Sequence, residues 1–140
     1  MKLRSFFLSV IFLTVFFFSI QTGHACDCMM FSLEQEIQRA QNIFSGKAQS
    51  MSAVYDEELK REVVEVIFLV QHTYKGDASG QFKVRGQGTN CDFPFHLGFS
   101  YLVYTQVYPN APSAVSTSQC SATKPLQDAG KDIKELEDKK

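Results

Sequence analysis

REVVEVIFLVQHTY, residues 61–74, is the stretch whose pattern decides the fold class. Val64, Val66, Phe68 and Val70 recur at every second position, and Val63, Ile67 and Leu69 make the opposite face partly apolar. Two-residue spacing built from β-branched and aromatic side chains is the signature of a strand. Lys75-Gly76-Asp77 ends it, and a turn at Asp56-Glu57-Glu58 separates it from an earlier strand at Ile43–Tyr55. That earlier strand places Phe44, Gly46 and Ala48 on one side, with a bend expected at Gly46. Downstream, Gln81–Arg85 reads as a short strand and Ser100–Tyr108 as a Tyr-, Leu- and Val-rich one, punctuated by Pro109-Asn110-Ala111-Pro112. Gly86-Gln87-Gly88-Thr89-Asn90 is a loop, and Ala114–Cys120 is the last strand candidate.

Two helices frame these strands. Ser32 and Gln35 form a capping box, and Leu33, Ile37 and Ala40 share one helical face, which predicts a short helix from Ser32 to about Gln41. At the other end, Asp128–Lys140 carries Ile133 and Leu136 among alternating charges, a helix with one face to pack or a solvated tail. Short strands at close spacing with few helices predict a mainly β domain: a small five-stranded Greek-key barrel of the OB type, with an N-terminal and a C-terminal helix.

Residues 1–25 have the layout of a signal peptide: Lys2 and Arg4, an apolar run from Phe6 to Ile20, and small residues before Cys26. The run is shorter than the roughly 20 residues that a membrane-spanning helix needs, which ranks an uncleaved anchor below cleavage. Gly23-His24-Ala25 lacks the Leu expected three residues before a lipidated cysteine, which ranks lipidation of Cys26 second. Cleavage leaves residues 26–140 as a single domain of one core. The expected location is secreted or extracellular, periplasmic or cell-surface in a bacterium, with no membrane contact after cleavage.

Losing Lys2 and Arg4 takes two from the 14 basic residues against 15 acidic ones, and no basic stripe remains to recruit nucleic acid. Cys26, Cys28, Cys91 and Cys120 all survive cleavage and would meet an oxidising compartment, where pairing is the default. Three connectivities are open in principle. A bond between Cys26 and Cys28 would close a strained ring across one residue, so two long-range bridges are expected. Both His72, within a strand, and His96, beside a turn, lack the spacing of a zinc site. Gly86-Gln87-Gly88 leads to a cysteine and not into a helix, so it reads as a turn and not as a phosphate loop. No serine elbow or helix-borne carboxylate pair is present. The chain is therefore expected to be no enzyme and to hold no intrinsic cofactor.

Several stretches together resemble the netrin-like domains of the tissue-inhibitor-of-metalloproteinases family, especially its short single-domain microbial members. They are Cys26-Asp27-Cys28, the helix at Ser32–Gln41, Ile43-Phe44-Ser45-Gly46-Lys47-Ala48, Tyr74-Lys75-Gly76, Cys91 to Phe95, Gly98, Tyr101-Leu102-Val103-Tyr104, and Cys120 with Thr123-Lys124-Pro125-Leu126. The resemblance spans nearly all of residues 26–140. It implies an OB-type barrel and disulfides pairing Cys26 with Cys91 and Cys28 with Cys120. It also implies a function: the α-amino nitrogen and carbonyl oxygen of Cys26 chelate the catalytic zinc of a target metalloprotease, and Asp27 points into the specificity pocket. Catalytic zinc keeps an open coordination position, and an α-amine with an ordinary pKa near 8 is partly deprotonated at neutral pH. The partner is then a protein, a zinc metalloprotease. Asp27 departs from the small hydroxyl residue usual at that place, and Met29-Met30 replaces a proline-containing segment.

Two other classes of function compete. One is a secreted, disulfide-stapled netrin-like interaction module that binds a protein without touching zinc. The other is a soft-metal site, in which reduced Cys26 and Cys28 with Met29 and Met30 bind Cu(I).

Overall fold

A computed structural model describes residues 26–139, so the leader read at residues 1–25 lies outside the described residues. Strands β1 (Asn42–Asp56), β2 (Arg61–Lys75), β3 (Gln81–Arg85), β4 (Ser100–Tyr108), β5 (Ala111–Ser116) and β6 (Lys124–Pro125) follow helix α1 (Leu33–Arg39) and precede helix α2 (Gly130–Asp138). The fold is mainly β, with one six-stranded sheet in the order β1-β2-β3-β5-β4-β6. β1 also pairs with β4, so the hydrogen-bonding circuit β1-β2-β3-β5-β4 returns to β1. Every pairing is antiparallel except that of β3 with β5, at Arg85 opposite Ser116.

β1 runs long enough to pair with two neighbours because it bends. Its register against β2 slips between Ser45 and Gly46 and again between Ala48 and Ser50, where irregular pairing lets a strand turn. The hairpin to β2 turns at Glu57–Lys60, slightly beyond the expected Asp56-Glu57-Glu58. Asp56 shapes it: one carboxylate oxygen accepts the backbone N–H of Glu58 at 3.0 Å and of Leu59 at 2.9 Å. At the far end of β2, Gly76 has φ 81, and a Cβ there would run into the side chain of Asn42.

Two apolar clusters lie on opposite faces of β4. Tyr101 and Val103 join Phe44, Ala48, Val66, Phe68, Val84 and Phe95 in the first. Its rings meet edge to face, Phe68 lying 5.6 Å from Phe44 and 4.9 Å from Phe95 between centroids. Such pairs add to the apolar burial itself. Leu102 and Tyr104 join Ile43, Ala40, Ala129 and Leu136 in the second, with Leu33, Ile37 and Ile133 packed against it. This second cluster is what α1 and α2 cover. Ile133 and Leu136 therefore dock α2 on the sheet, in place of a solvated tail.

Four sequence expectations shift. Val64 is exposed while Val63 and Glu65 are buried, although the spacing put Val64 with Val66. β3 ends opposite Glu65, so Val64 lies beyond the ladder that covers Val66, and Glu65 is buried by its ion pairs with Arg85 and Lys83. The final long strand is Ala111–Ser116 and not Ala114–Cys120. Pro109-Asn110 alone makes the preceding turn, and Pro112 is accommodated inside β5. Helix α1 stops at Arg39, because Ala40 is already extended. A sixth strand, two residues long, is added at Lys124–Pro125 against Tyr101 and Leu102 of β4.

Candidate functional site

The site is the segment from Cys26 to Phe31, which has no regular secondary structure and is held at both ends. Cys26 is bonded to Cys91 and Cys28 to Cys120, with Cα separations of 5.5 and 5.1 Å and sequence separations of 65 and 92 residues. Among the described residues no cysteine is free. The soft-metal reading thereby loses both of its thiolate ligands, since a disulfide sulfur is not a thiolate. At the other end Phe31 is pinned by the Arg39 guanidinium, which lies 3.8 Å from its ring centroid. That guanidinium also reaches Glu36 at 3.4 Å and Gln106 at 3.5 Å, linking the segment to α1 and β4.

Both partner cysteines sit on loops that are fastened to one another. The carboxylate of Asp92 accepts the backbone N–H groups of Gln87 at 2.8 Å, Gly88 at 2.9 Å and Thr89 at 3.3 Å. This folds the loop leading to Cys91 around a single side chain, with Gly88 at φ 69 completing the turn. From the other loop, the backbone N–H of Gln119 donates to the Cys91 carbonyl at 2.8 Å. Its side-chain amide donates to the carbonyls of Asn90 and Asp92, at 3.0 and 3.1 Å. Thr117, Ser121 and Thr123 continue the stitching through their hydroxyls, and the Thr123 hydroxyl accepts the backbone N–H of Tyr104 in β4. A chain of hydrogen bonds therefore runs from the cysteine loops to the most buried strand.

Between these anchors Asp27 is exposed, and Met29 and Met30 are 73% and 92% exposed. The protein thus presents a short exposed edge between Cys26 and Phe31, with its two methionines facing solvent. Asp27 lines a cavity of about 290 Å³ together with Arg39, Gln87 and Gln106. His72 packs on Tyr74, their ring centroids 4.5 Å apart, and His96 donates its backbone N–H to the Tyr101 hydroxyl at 2.9 Å. The structure brings neither histidine to the edge, and among the described residues no group of three or more His, Cys, Asp or Glu is placed to hold a metal ion.

Two ionic networks brace the sheet, one across β1, β2 and β3 and one between β6 and α2, the latter lining a cavity with Met29, Met30 and Phe31. Arg85 lies 2.8 Å from Glu65 and 3.5 Å from Asp56. The hydrogen bond from Arg85 holds the Glu65 carboxyl below its ordinary value, and the backbone N–H of Leu59 does most to lower that of Asp56. Behind β4, Lys124 reaches Asp132 at 2.7 Å, and the Tyr104 hydroxyl donates to the same carboxylate at 3.3 Å. Burial, and then the Asp132 charge, push the Tyr104 phenol far above its usual range.

Compared with known proteins, the chain matches no family model and no curated sequence. The roles of Asp92, Gln119 and Arg39 are absent from the sequence reading. Asp92 carried a usable signal, since an Asp following a Gly-rich loop is a frequent acceptor for that loop's own N–H groups. Nothing local marks Gln119, whose side-chain partners lie 29 and 27 residues away, and Arg39 has a local partner in Glu36 but reaches Gln106 across 67 residues.

Proposed function

We propose that the exported protein inhibits a zinc metalloprotease, with Cys26 as the zinc-directed residue on an OB-type Greek-key barrel. The observation that carries this reading is the mounting of Cys26: a disulfide fixes the residue, a second disulfide lies two residues on, and the chain between and beyond them is exposed. A chelate through the α-amino nitrogen and carbonyl oxygen of one residue needs those atoms in a single, accessible geometry. Tethering the residue lowers the ordering penalty of binding. Return of the strand circuit to β1, with the parallel β3–β5 contact, supports the barrel. The two long-range bridges fit an oxidising compartment, and among the described residues no helix is long and apolar enough to cross a membrane.

On this reading the target's bound water is displaced and the amine completes the zinc coordination. Asp27 then enters the pocket beyond the metal, which selects against enzymes whose pocket is apolar, because a carboxylate buried there lacks a partner. Enzymes with a polar or basic pocket are the fitting targets. The reading is tested by intact-mass and N-terminal sequencing of the exported protein. Cys26 must be the first residue and its amine unmodified; an N-terminus upstream of Cys26, or a blocked amine, removes the ligand and with it the proposal.

A further inference from the structure

The largest of the cavities described lies on the other side of the same edge, about 490 Å³ between the Met29–Phe31 segment, the Cys120 loop and the start of α2. Its wall is apolar where Met29, Met30, Phe31 and Leu33 line it, and four charged side chains face it: Glu36, Asp132, Lys124 and Lys131. Asp132 is satisfied, by Lys124 at 2.7 Å and by the Tyr104 hydroxyl. Glu36 is satisfied only in half. Its side chain is 6% exposed, and Arg39 takes Oε1 at 3.4 Å, but Oε2 is buried without any hydrogen-bond partner. A buried carboxylate oxygen lacking a donor is an uncompensated desolvation, which a donor arriving through the cavity would relieve.

We propose that this cavity binds an alkylammonium group, the ammonium donating to Glu36 Oε2 and the aliphatic stem lying along Met29, Met30 and Leu33. A cation suits the one unmet acceptor, and charge-assisted bonds of this kind are the stronger sort. An aliphatic stem suits the walls, since a lysine-like side chain is apolar for most of its length. Met29 and Met30 belong to an irregular, exposed segment and have the unbranched side chains that adapt to a guest. Lys131 on the same cavity, unlike Lys124 not offset by Asp132, disfavours a second positive charge, so a monoamine is the ligand and a diamine is not. The group has two sources, a lysyl side chain of a partner polypeptide or a free alkylamine. The inference is independent of zinc chelation, because Glu36 and its cavity require nothing of the Cys26 amine.

The test is titration of the intact protein by NMR with four probes: n-pentylamine, Nα-acetyl-lysine methylamide, its Nε-acetylated form, and 1,5-diaminopentane. Expected is saturable binding of the first two with shifts centred on Glu36, Leu33 and Met30, and at least tenfold weaker binding of the other two. Binding of the lysine probe alone assigns the site to a partner's lysyl side chain; comparable binding of pentylamine assigns it to free amines as well. Glu36→Gln should weaken binding at least tenfold. Should that variant unfold, Met30→Lys, at a side chain 92% exposed, puts a cation at the cavity wall and should weaken binding severalfold with the fold retained. No saturable binding of either monoamine, equal binding of the Nε-acetylated probe, or unchanged affinity in Met30→Lys overturns the proposal.

Discussion

Removing the Cys28–Cys120 bridge, by Cys28→Ser with Cys120→Ser, tests how far the edge is clamped by constraint of the unfolded chain. Taken alone, the 92-residue separation corresponds to roughly 4–5 kcal/mol of chain entropy. The Cys26–Cys91 bridge already shortens the path, however. From Cys28 back to Cys26, across that bond and on from Cys91 to Cys120, the effective loop is on the order of 30 residues, which gives about 3.5 kcal/mol. Native disulfides fall in a range of about 2–5 kcal/mol, so a loss of about 3 kcal/mol is expected, or roughly 12 °C in Tm. Urea unfolding of both proteins provides the assay. Because the effect lies in the unfolded state, the m-value should rise as the released chain exposes more surface. A loss below about 1 kcal/mol with an unchanged m-value would show that the clamp does not act through the unfolded chain, and would refute the reasoning.

Phe68→Ala removes a fully buried ring that meets Phe44, Phe95 and Tyr101 edge to face, and should destabilise by about 3–5 kcal/mol in the same unfolding assay. Acid should destabilise through Glu65 and Asp56: both carboxyls are held below their ordinary values in the fold, so their contribution is complete above those values and is lost as pH falls through the lowered ones. Glu65→Gln should accordingly flatten the fall in urea midpoint below about pH 4.5, and an unaltered acid limb would remove Glu65 from that role. Asp27→Ser should tighten inhibition of metalloproteases with apolar pockets by about 1–3 kcal/mol, since an unpaired carboxylate is no longer desolvated; equal inhibition constants for the two proteins would place Asp27 outside the pocket.

Strands whose neighbours alternate along them are legible from the chain itself. Gln81–Arg85 and Ser100–Tyr108 match the structure residue for residue, and the capping box at Ser32 and Gln35 is present with both of its hydrogen bonds. Legibility fails where a remote partner decides. Val64 has the right period but lies past the end of β3, and β6 is too short to carry any period. Ala111–Ser116 was obscured by Pro112, a residue that reads as a breaker until the strand beside it is known. At the edge, the even cysteine count foretold cross-linking but not the apparatus that positions it. The loop around Asp92 and the two carbonyls bound by Gln119 depend on contacts across 3 to 29 residues. Glu36 illustrates the same limit: an acidic residue in the first turn of a helix reads as solvated, yet its side chain is buried.

Zinc chelation by Cys26 is tested most directly by adding one alanine ahead of it. The added residue acylates the α-amine and moves the new amine beyond reach of a five-membered chelate with the Cys26 carbonyl, while both disulfides and the core stay as they are. Inhibition of a susceptible zinc metalloprotease should then fall by at least a hundredfold, with the urea midpoint unchanged. An extended protein that folds normally and inhibits as strongly as the native one would contradict the chelate and move binding elsewhere on the fold.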